Sequence, residues 1–150
     1  MIAIQRLFEA HLNISNLQRG IDFYTGVLGL QLAAALPDRR VAFVWVGGPG
    51  QSMLGLWEIG SSPQTSVFHV ALVVTLEDLL KAVDVLRNSG ITPLDFHGQP
   101  TGQPDVLAWI PAACLYFRDP DNNLLEFISI LAERPRPDLG VLSWTDWCCK

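Results

Sequence analysis

Glu126 stands in the stretch LYFRDPDNNLLEFI, residues 115–128, with Leu124, Leu125, Phe127 and Ile128 around it. A carboxylate among apolar side chains is costly unless it meets a proton donor, a cation or a metal. Two imidazoles are its candidate companions: His11 in LFEAHLNIS and His69 in VFHVALVV, both in strand-like segments. Alternation along a strand puts residues two apart on one face. Glu126 thus shares a face with Leu124 and Ile128, His11 with Glu9 and Asn13, and His69 with Val67 and Ala71. Two imidazoles and one carboxylate at one point form a facial triad, which holds a divalent metal and leaves several positions open. A lone strand histidine is more often a satisfied core residue, so the triad needs a fold that makes the three converge.

The elements that would position them come in two rounds of βαβββ. LFEAHLNIS reads as a strand, and NLQRGIDFYTGVLG as a helix with Leu17, Ile21, Tyr24 and Leu28 on one side. Ser15 or Asn16 can cap its start and Gly29 its end. Strands follow in LQLAAAL, VAFVWV and SMLGLWEI, separated by the PDRR and GGPGQ turns. The second round has a strand in VFHVALVV and an amphipathic helix in LEDLLKAVDVLRNSG, capped by Thr75 and closed by Gly90. Its further strands fall near TPLDFH, VLAWIPAACLYF and NLLEFISI. Residue matching supports a duplication. An offset of 71 puts Pro49 on Pro120, Leu54 on Leu125, Gly55 on Glu126 and Glu58 on Ser129, while an offset of 58 puts His11 on His69. The period is too long for a solenoid. Strand histidines and the glutamate thereby occupy repeat-related places and can meet near a pseudo-twofold axis.

Composition bounds the rest. The 150 residues are 49 % apolar, enough for one domain with a proper core. A net charge of −5 and scattered basic residues make no case for nucleic acid. No apolar run approaches the ~18 residues of a membrane span, and the N-terminus lacks the pattern of a signal peptide. Three cysteines form neither a disulfide framework nor a zinc spacing, as expected of a reduced, cytoplasmic protein.

Residues 7–131 resemble the vicinal oxygen chelate superfamily, chiefly through LYFRDPDNNLLEF and FHVALVV. That group includes glyoxalase I, fosfomycin-resistance enzymes, extradiol dioxygenases, methylmalonyl-CoA epimerase and bleomycin-binding proteins. The resemblance implies an α+β fold: two βαβββ modules, about 7–59 and 67–131, in a curved, half-open mixed barrel, often as a homodimer. Residues 132–150 form a tail on this single glyoxalase-like domain. Carried over by position, His11, His69 and Glu126 are the metal ligands, for one divalent ion such as Fe, Mn, Zn or Ni.

Glyoxalase-like members usually hold a fourth ligand, a glutamate or glutamine, where this chain has Gly55. Glu58 is three residues on and belongs to the opposite strand face, so only a bulge would turn it to the metal. Without a base at position 55, proton removal next to a carbonyl needs Glu58, Glu9 or another group. The extradiol signature Leu-Tyr-x-x-Asp-Pro is met by Leu115, Tyr116, Asp119 and Pro120. The upstream acid–base histidine is not, since VLAWIPAA carries Trp109 there and His97 is the nearest substitute. The fosfomycin enzymes need several cations, for which Arg118, Arg134 and Arg136 offer no clear match.

The leading expectation is a metal-dependent enzyme of lyase, isomerase or thiol-transferase type. Its metal polarises an oxygen of a small, apolar or aromatic substrate. Asn13 is the candidate hydrogen-bond donor to that oxygen and Tyr116 the proton donor. Trp57, Met53 and Trp109 are the candidate substrate contacts, with Trp109 on a strand and Phe43 and Trp45 together on one face of theirs. Alternatives are a dioxygenase acting on a catechol and a metal-free drug-binding protein. The tail cannot begin as a long helix, because Pro135 and Pro137 forbid it. Leu142, Trp144 and Trp147 are expected to fold back onto the domain or onto a partner.

Overall fold

The computed structural model describes residues 7–61 and 68–150. Val67, in the expected start of the second module, lies outside them. Two sheets of mixed strand direction carry three α-helices among the described residues. One compact unit runs to Phe68 and takes in the turn Asp119–Asn123; the other comprises His69–Arg118 and Leu124–Lys150.

The first unit contains strand β1 (Glu9–Ile14), helix α1 (Leu17–Asp22), and strands β2 (Gln31–Leu36), β3 (Val41–Val46) and β4 (Ser52–Glu58). Its sheet has the order β1-β4-β3-β2, with β1 parallel to β4. Alternation sorts the strands as expected. Leu12, Leu54, Leu56, Ala42 and Val44 are buried on one face, while Glu9, His11 and Asn13 pair with Met53, Gly55 and Trp57 on the other. Asn16, not Ser15, caps α1, its side chain accepting from the Arg19 backbone N–H at 2.9 Å. Gly20 allows α1 to lie close on β1, since a Cβ there would come within 2.6 Å of Ile14 Cδ1.

The expected single helix divides. After Asp22 it widens into a π-helical turn, Phe23–Val27. Two bonds accompany the widening: Thr25 Oγ1 donates to the Ile21 carbonyl at 2.8 Å, and Leu28 N–H reaches the Phe23 carbonyl.

The second unit contains β5 (His69–Val73), α2 (Leu76–Asn88), β6 (Asp105–Leu107), β7 (Ala112–Arg118), β8 (Leu124–Ile130), β9 (Val141–Ser143) and α3 (Trp144–Cys148). The sheet order β5-β8-β7-β6-β9 repeats the first and adds one strand. Thr75 caps α2 by accepting from Asp78 N–H. Leu79, Ala82, Val83 and Leu86 form its buried side.

Two expectations change here. TPLDFH contributes only isolated bridges at Leu94, to Pro100 and to Tyr116. The chain turns at once because the Asp95 carboxylate accepts from His97 and Gln99 N–H. VLAWIPAACLYF is two strands, not one: Ile110 N–H bonds back to the Leu107 carbonyl, and Pro111 has no N–H to continue a ladder. The βαβββ order survives with β6 as the first strand after the helix. The tail returns as expected, onto its own unit. Leu142 in β9 pairs with Val106, and Trp144 N–H bonds to the Pro104 carbonyl.

The registers also refine the duplication. Glu9 pairs with Met53 and His69 with Leu124, and Met53 and Leu124 are related by the offset of 71. Glu9 is therefore the positional counterpart of His69, and His11 that of Ala71. A shift of two residues keeps each side chain on its face, so both histidines stay on corresponding faces without occupying one position.

Candidate active site

In the first unit, strands β1, β3 and β4 bring His11, Gly55 and Phe43 into one row. His11 Nε2 lies 2.8 Å from Glu9 Oε1. The imidazole stands edge-on to Phe43, with ring centroids 6.4 Å apart, and 5.7 Å from Trp57. Phe43 and its face-mate Trp45 are thus on the histidine face. Met53 and Trp57 share that face too. Trp57 is buried, its indole N–H meets no acceptor, and Arg39 covers its ring at 5.2 Å. Asn13 is buried opposite Trp57.

Glu58 belongs to the other face. Its Oε2 accepts from Leu17 N–H at 2.9 Å, at the start of α1, and Arg40 pairs with its Oε1 at 3.2 Å. A carboxylate at a helix N-terminus is favoured by the dipole, so Glu58 works for the fold.

The turn Asp119–Asn123 completes this unit. Asp119 accepts from the Tyr24 hydroxyl (2.9 Å), the Asn123 side-chain amide (2.8 Å) and the backbone N–H groups of Asp121 and Asn123. Burial, then the Asp119 charge, push the Tyr24 phenol far above its ordinary range. The Asp-Pro of the motif thus holds a turn.

In the second unit, His69 Nε2 meets Glu126 Oε2 at 3.1 Å. Glu126 is only 5 % exposed, and its Oε1 is buried with no hydrogen-bond partner. Burial raises its pKa, while His69 and Tyr116 act in the opposite sense. Tyr116, paired in register with Glu126, has its phenol raised by burial first and by Cys114 next. Burial likewise pushes the Cys114 thiol up to about 12, so it stays protonated near neutrality.

A cavity of about 410 Å³ opens beside this pair, lined by His69, Asp95, Phe96, His97, Gly98, Tyr116, Arg118 and Leu124. Sequence reasoning weighed His97 and Arg118 and missed Phe96. The signal for Phe96 lies in tertiary packing: its ring meets Tyr116, His97 and Trp109 at 6.4, 5.3 and 6.0 Å. Trp109 is corrected from strand to turn, between β6 and β7, where the chain reverses ahead of Pro111. It is 39 % exposed and meets the cavity through Phe96.

Donors for a metal thus come in imidazole–carboxylate pairs, one in each unit. Among the described residues no group of three His, Cys, Asp or Glu is assembled to hold an ion. The Glu126 pair nevertheless fits one. A neutral imidazole nitrogen and a carboxylate are suitable donors, and the unpartnered Oε1 lacks the bond that a buried oxygen normally makes.

The model of the glyoxalase/bleomycin resistance protein/dioxygenase superfamily matches residues 6–127. The chain belongs to this superfamily. It is 29 % identical over 136 residues to lactoylglutathione lyase of Escherichia coli O157:H7, covering 82 % of this chain and 91 % of that enzyme. The corresponding enzyme of Neisseria meningitidis serogroup A is 24 % identical over 130 residues, covering 82 % and 89 %. Among solved structures, an integron cassette protein from the mobile metagenome of the Halifax Harbour sewage outfall matches with a TM-score of 0.70 and 28 % identity, over 85 % of this chain and all of that one. A lactoylglutathione lyase from Agrobacterium tumefaciens shares the fold at a TM-score of 0.66 and 18 % identity, over 84 % and 94 %. Among the described residues no helix is long and apolar enough to cross a membrane.

Proposed function

We propose that the protein is a cytoplasmic, homodimeric, metal-dependent glyoxalase-like enzyme, a single domain acting on a small apolar or aromatic substrate. His11, His69 and Glu126 hold one divalent ion, Fe, Mn, Zn or Ni. The observation that carries this reading is Glu126: a buried carboxylate with one oxygen on an imidazole and the other unpartnered, beside a cavity. When bound, the metal supplies a Lewis acid for a substrate oxygen. The chain's residues do the rest. Phe96 and Tyr116 offer ring surface to an apolar substrate, and the Tyr116 hydroxyl supplies a proton to a substrate oxygen. Asn13 orients that oxygen by hydrogen bonding, and Trp57, Met53 and Trp109 complete the apolar contacts. The named activity of the curated relatives favours a lyase or isomerase over a thiol transferase.

A second reading has one observation in its favour. His97 lines the same cavity as His69 and Tyr116, and so provides the acid–base imidazole that a catechol dioxygenase requires. Untagged protein loaded anaerobically with Fe(II), Mn(II), Ni(II) or Zn(II) separates the readings. It is offered a glutathione hemithioacetal, fosfomycin with a thiol, and a catechol with oxygen. Turnover of the hemithioacetal, with catechol bound but slowly consumed, is expected. Fast oxygen uptake with a yellow ring-cleavage product from the Fe(II) form would install the second reading. Tight binding of aromatic drugs by protein that takes up no metal would replace both with a binding protein.

A further inference from the structure

We propose that the tail carries a second small-molecule site, which takes an organic mono-anion with a flat apolar body, such as an aromatic carboxylate. It is independent of the metal reading above, and every residue that forms it belongs to the second unit.

The site is a cavity of about 340 Å³ lined by Glu133, Arg134, Arg136, Leu139, Trp147 and Lys150. That volume lies at the small end of the range for ligand pockets. All six residues follow position 127, where the match to the superfamily model ends. The shared fold does not account for them, since β9 and α3 lie outside the βαβββ plan.

The backbone fixes the walls. After β8, Pro135 and Pro137 hold the chain out of a helix, and Arg136 N–H bonds to the Ala108 carbonyl at 2.8 Å. One 3₁₀ turn, Pro137–Leu139, then leads into β9, which pairs with β6. Helix α3 supplies Trp147. Ser143 caps it by accepting from Asp146 N–H at 3.2 Å, and Thr145 donates to Gln103 Oε1 from its N–H at 3.0 Å and its hydroxyl at 2.6 Å. Walls held in this way cost little to order when a ligand binds.

The lining chemistry selects the ligand. Three cationic side chains, Arg134, Arg136 and Lys150, share the cavity with one carboxylate, Glu133. Two of the cations are engaged. Arg136 places Nε and Nη2 on Asp138, and Lys150 Nζ lies 4.2 Å from the centroid of the Trp147 ring. Arg134 makes no ion pair or hydrogen bond among the described residues. Its planar guanidinium matches a carboxylate through two parallel bonds. Leu139 and Trp147, both half-buried, offer apolar surface to the rest of the ligand, and an indole favours a flat ring. Glu133 repels a dianion more strongly than a mono-anion, which favours a carboxylate over a phosphate monoester.

Binding of naphthoate to the whole untagged chain is followed by NMR of its backbone and indole N–H groups. The protein is first demetallated, so that the carboxylate has no ion to chelate. Naphthalenemethanol and naphthyl phosphate serve as the neutral and dianionic comparisons. The Trp147 indole signal, assigned through Trp147→Phe, and the N–H signals of Arg134 and Leu139 should shift with naphthoate. The N–H signal of Gly98, in the cavity beside Glu126, should stay in place. Arg134→Gln should weaken naphthoate at least roughly tenfold, the scale of one hydrogen bond to a charged group. Lys81→Gln, which removes an exposed cation on α2, should leave it unchanged. The alcohol should bind more weakly than naphthoate, and the phosphate no more tightly. Shifts confined to Gly98 and its neighbours, or an absence of saturable binding, would overturn the site. Undiminished binding by Arg134→Gln, or an alcohol or phosphate that binds better than naphthoate, would overturn its choice of a mono-anion.

Discussion

The two units are built on the same strand order and carry different chemistry on the same slots. Where the second has Glu126 facing Tyr116 in register, the first has Gly55 facing Phe43. A polar pair in one is a packed ring and an empty position in the other. The turns preceding these strands diverge in the same manner. Gly48-Pro49-Gly50 matches Asp119-Pro120-Asp121; the glycine turn uses positive φ angles at Gly47, Gly48 and Gly50, and the aspartate turn collects four donors on one carboxylate. Duplication preserved the backbone plan, while each copy found its own way to satisfy it and only the second has a carboxylate at the position of Glu126, which is Gly55 in the first.

The sharpest way to break this comparison is at the aspartate turn. Asp119→Ala strands the Tyr24 hydroxyl and two backbone N–H groups in a buried setting, and should cost about 3 kcal/mol or more. Denaturant titration reads it. A loss below about 1 kcal/mol would mean that the turn, like its glycine counterpart, holds itself. The next effect is at the empty slot. Gly55→Glu restores the residue that the repeat suggests, yet it should destabilise by about 1–3 kcal/mol through overpacking against His11 and Phe43. A variant as stable as the parent would show that the rings yield.

The smallest effect is electrostatic. Burial raises the pKa of Asp105, opposed in part by the Phe96 N–H it accepts. A carboxyl raised on folding stabilises fully only below its unfolded pKa and loses that contribution as pH rises through the folded value. Asp105→Asn keeps an acceptor for Phe96, so it should be slightly more stable than the parent at pH 7, by no more than a few tenths of a kcal/mol after screening. The difference should vanish near pH 3. A gain that persists there would point to packing instead.

Much of this was legible in the residues. Alternation in NLLEFISI assigned Glu126 to its face, Thr75 and Gly90 bounded α2, and parity alone separated Glu58 from His11. What escaped were features decided by tertiary hydrogen bonding. Aligning histidine on histidine hid the two-residue register shift, because pairing of β1 with β4 follows backbone ladders and not residue identity. The Asp95 carboxylate overrode the strand pattern in TPLDFH. Phe96 became a cavity residue only through packing against Tyr116 and Trp109.

Metal stoichiometry of untagged protein tests the central claim most directly. Demetallated wild-type protein, titrated with Zn(II) and analysed for bound ion, should take up one per chain. His11→Ala, His69→Ala and Glu126→Ala should each bind about 100-fold more weakly or not at all with the fold retained, and Glu58→Ala should bind as the parent does. Equal binding by all four variants, or a loss in Glu58→Ala as complete as in Glu126→Ala, would contradict the account.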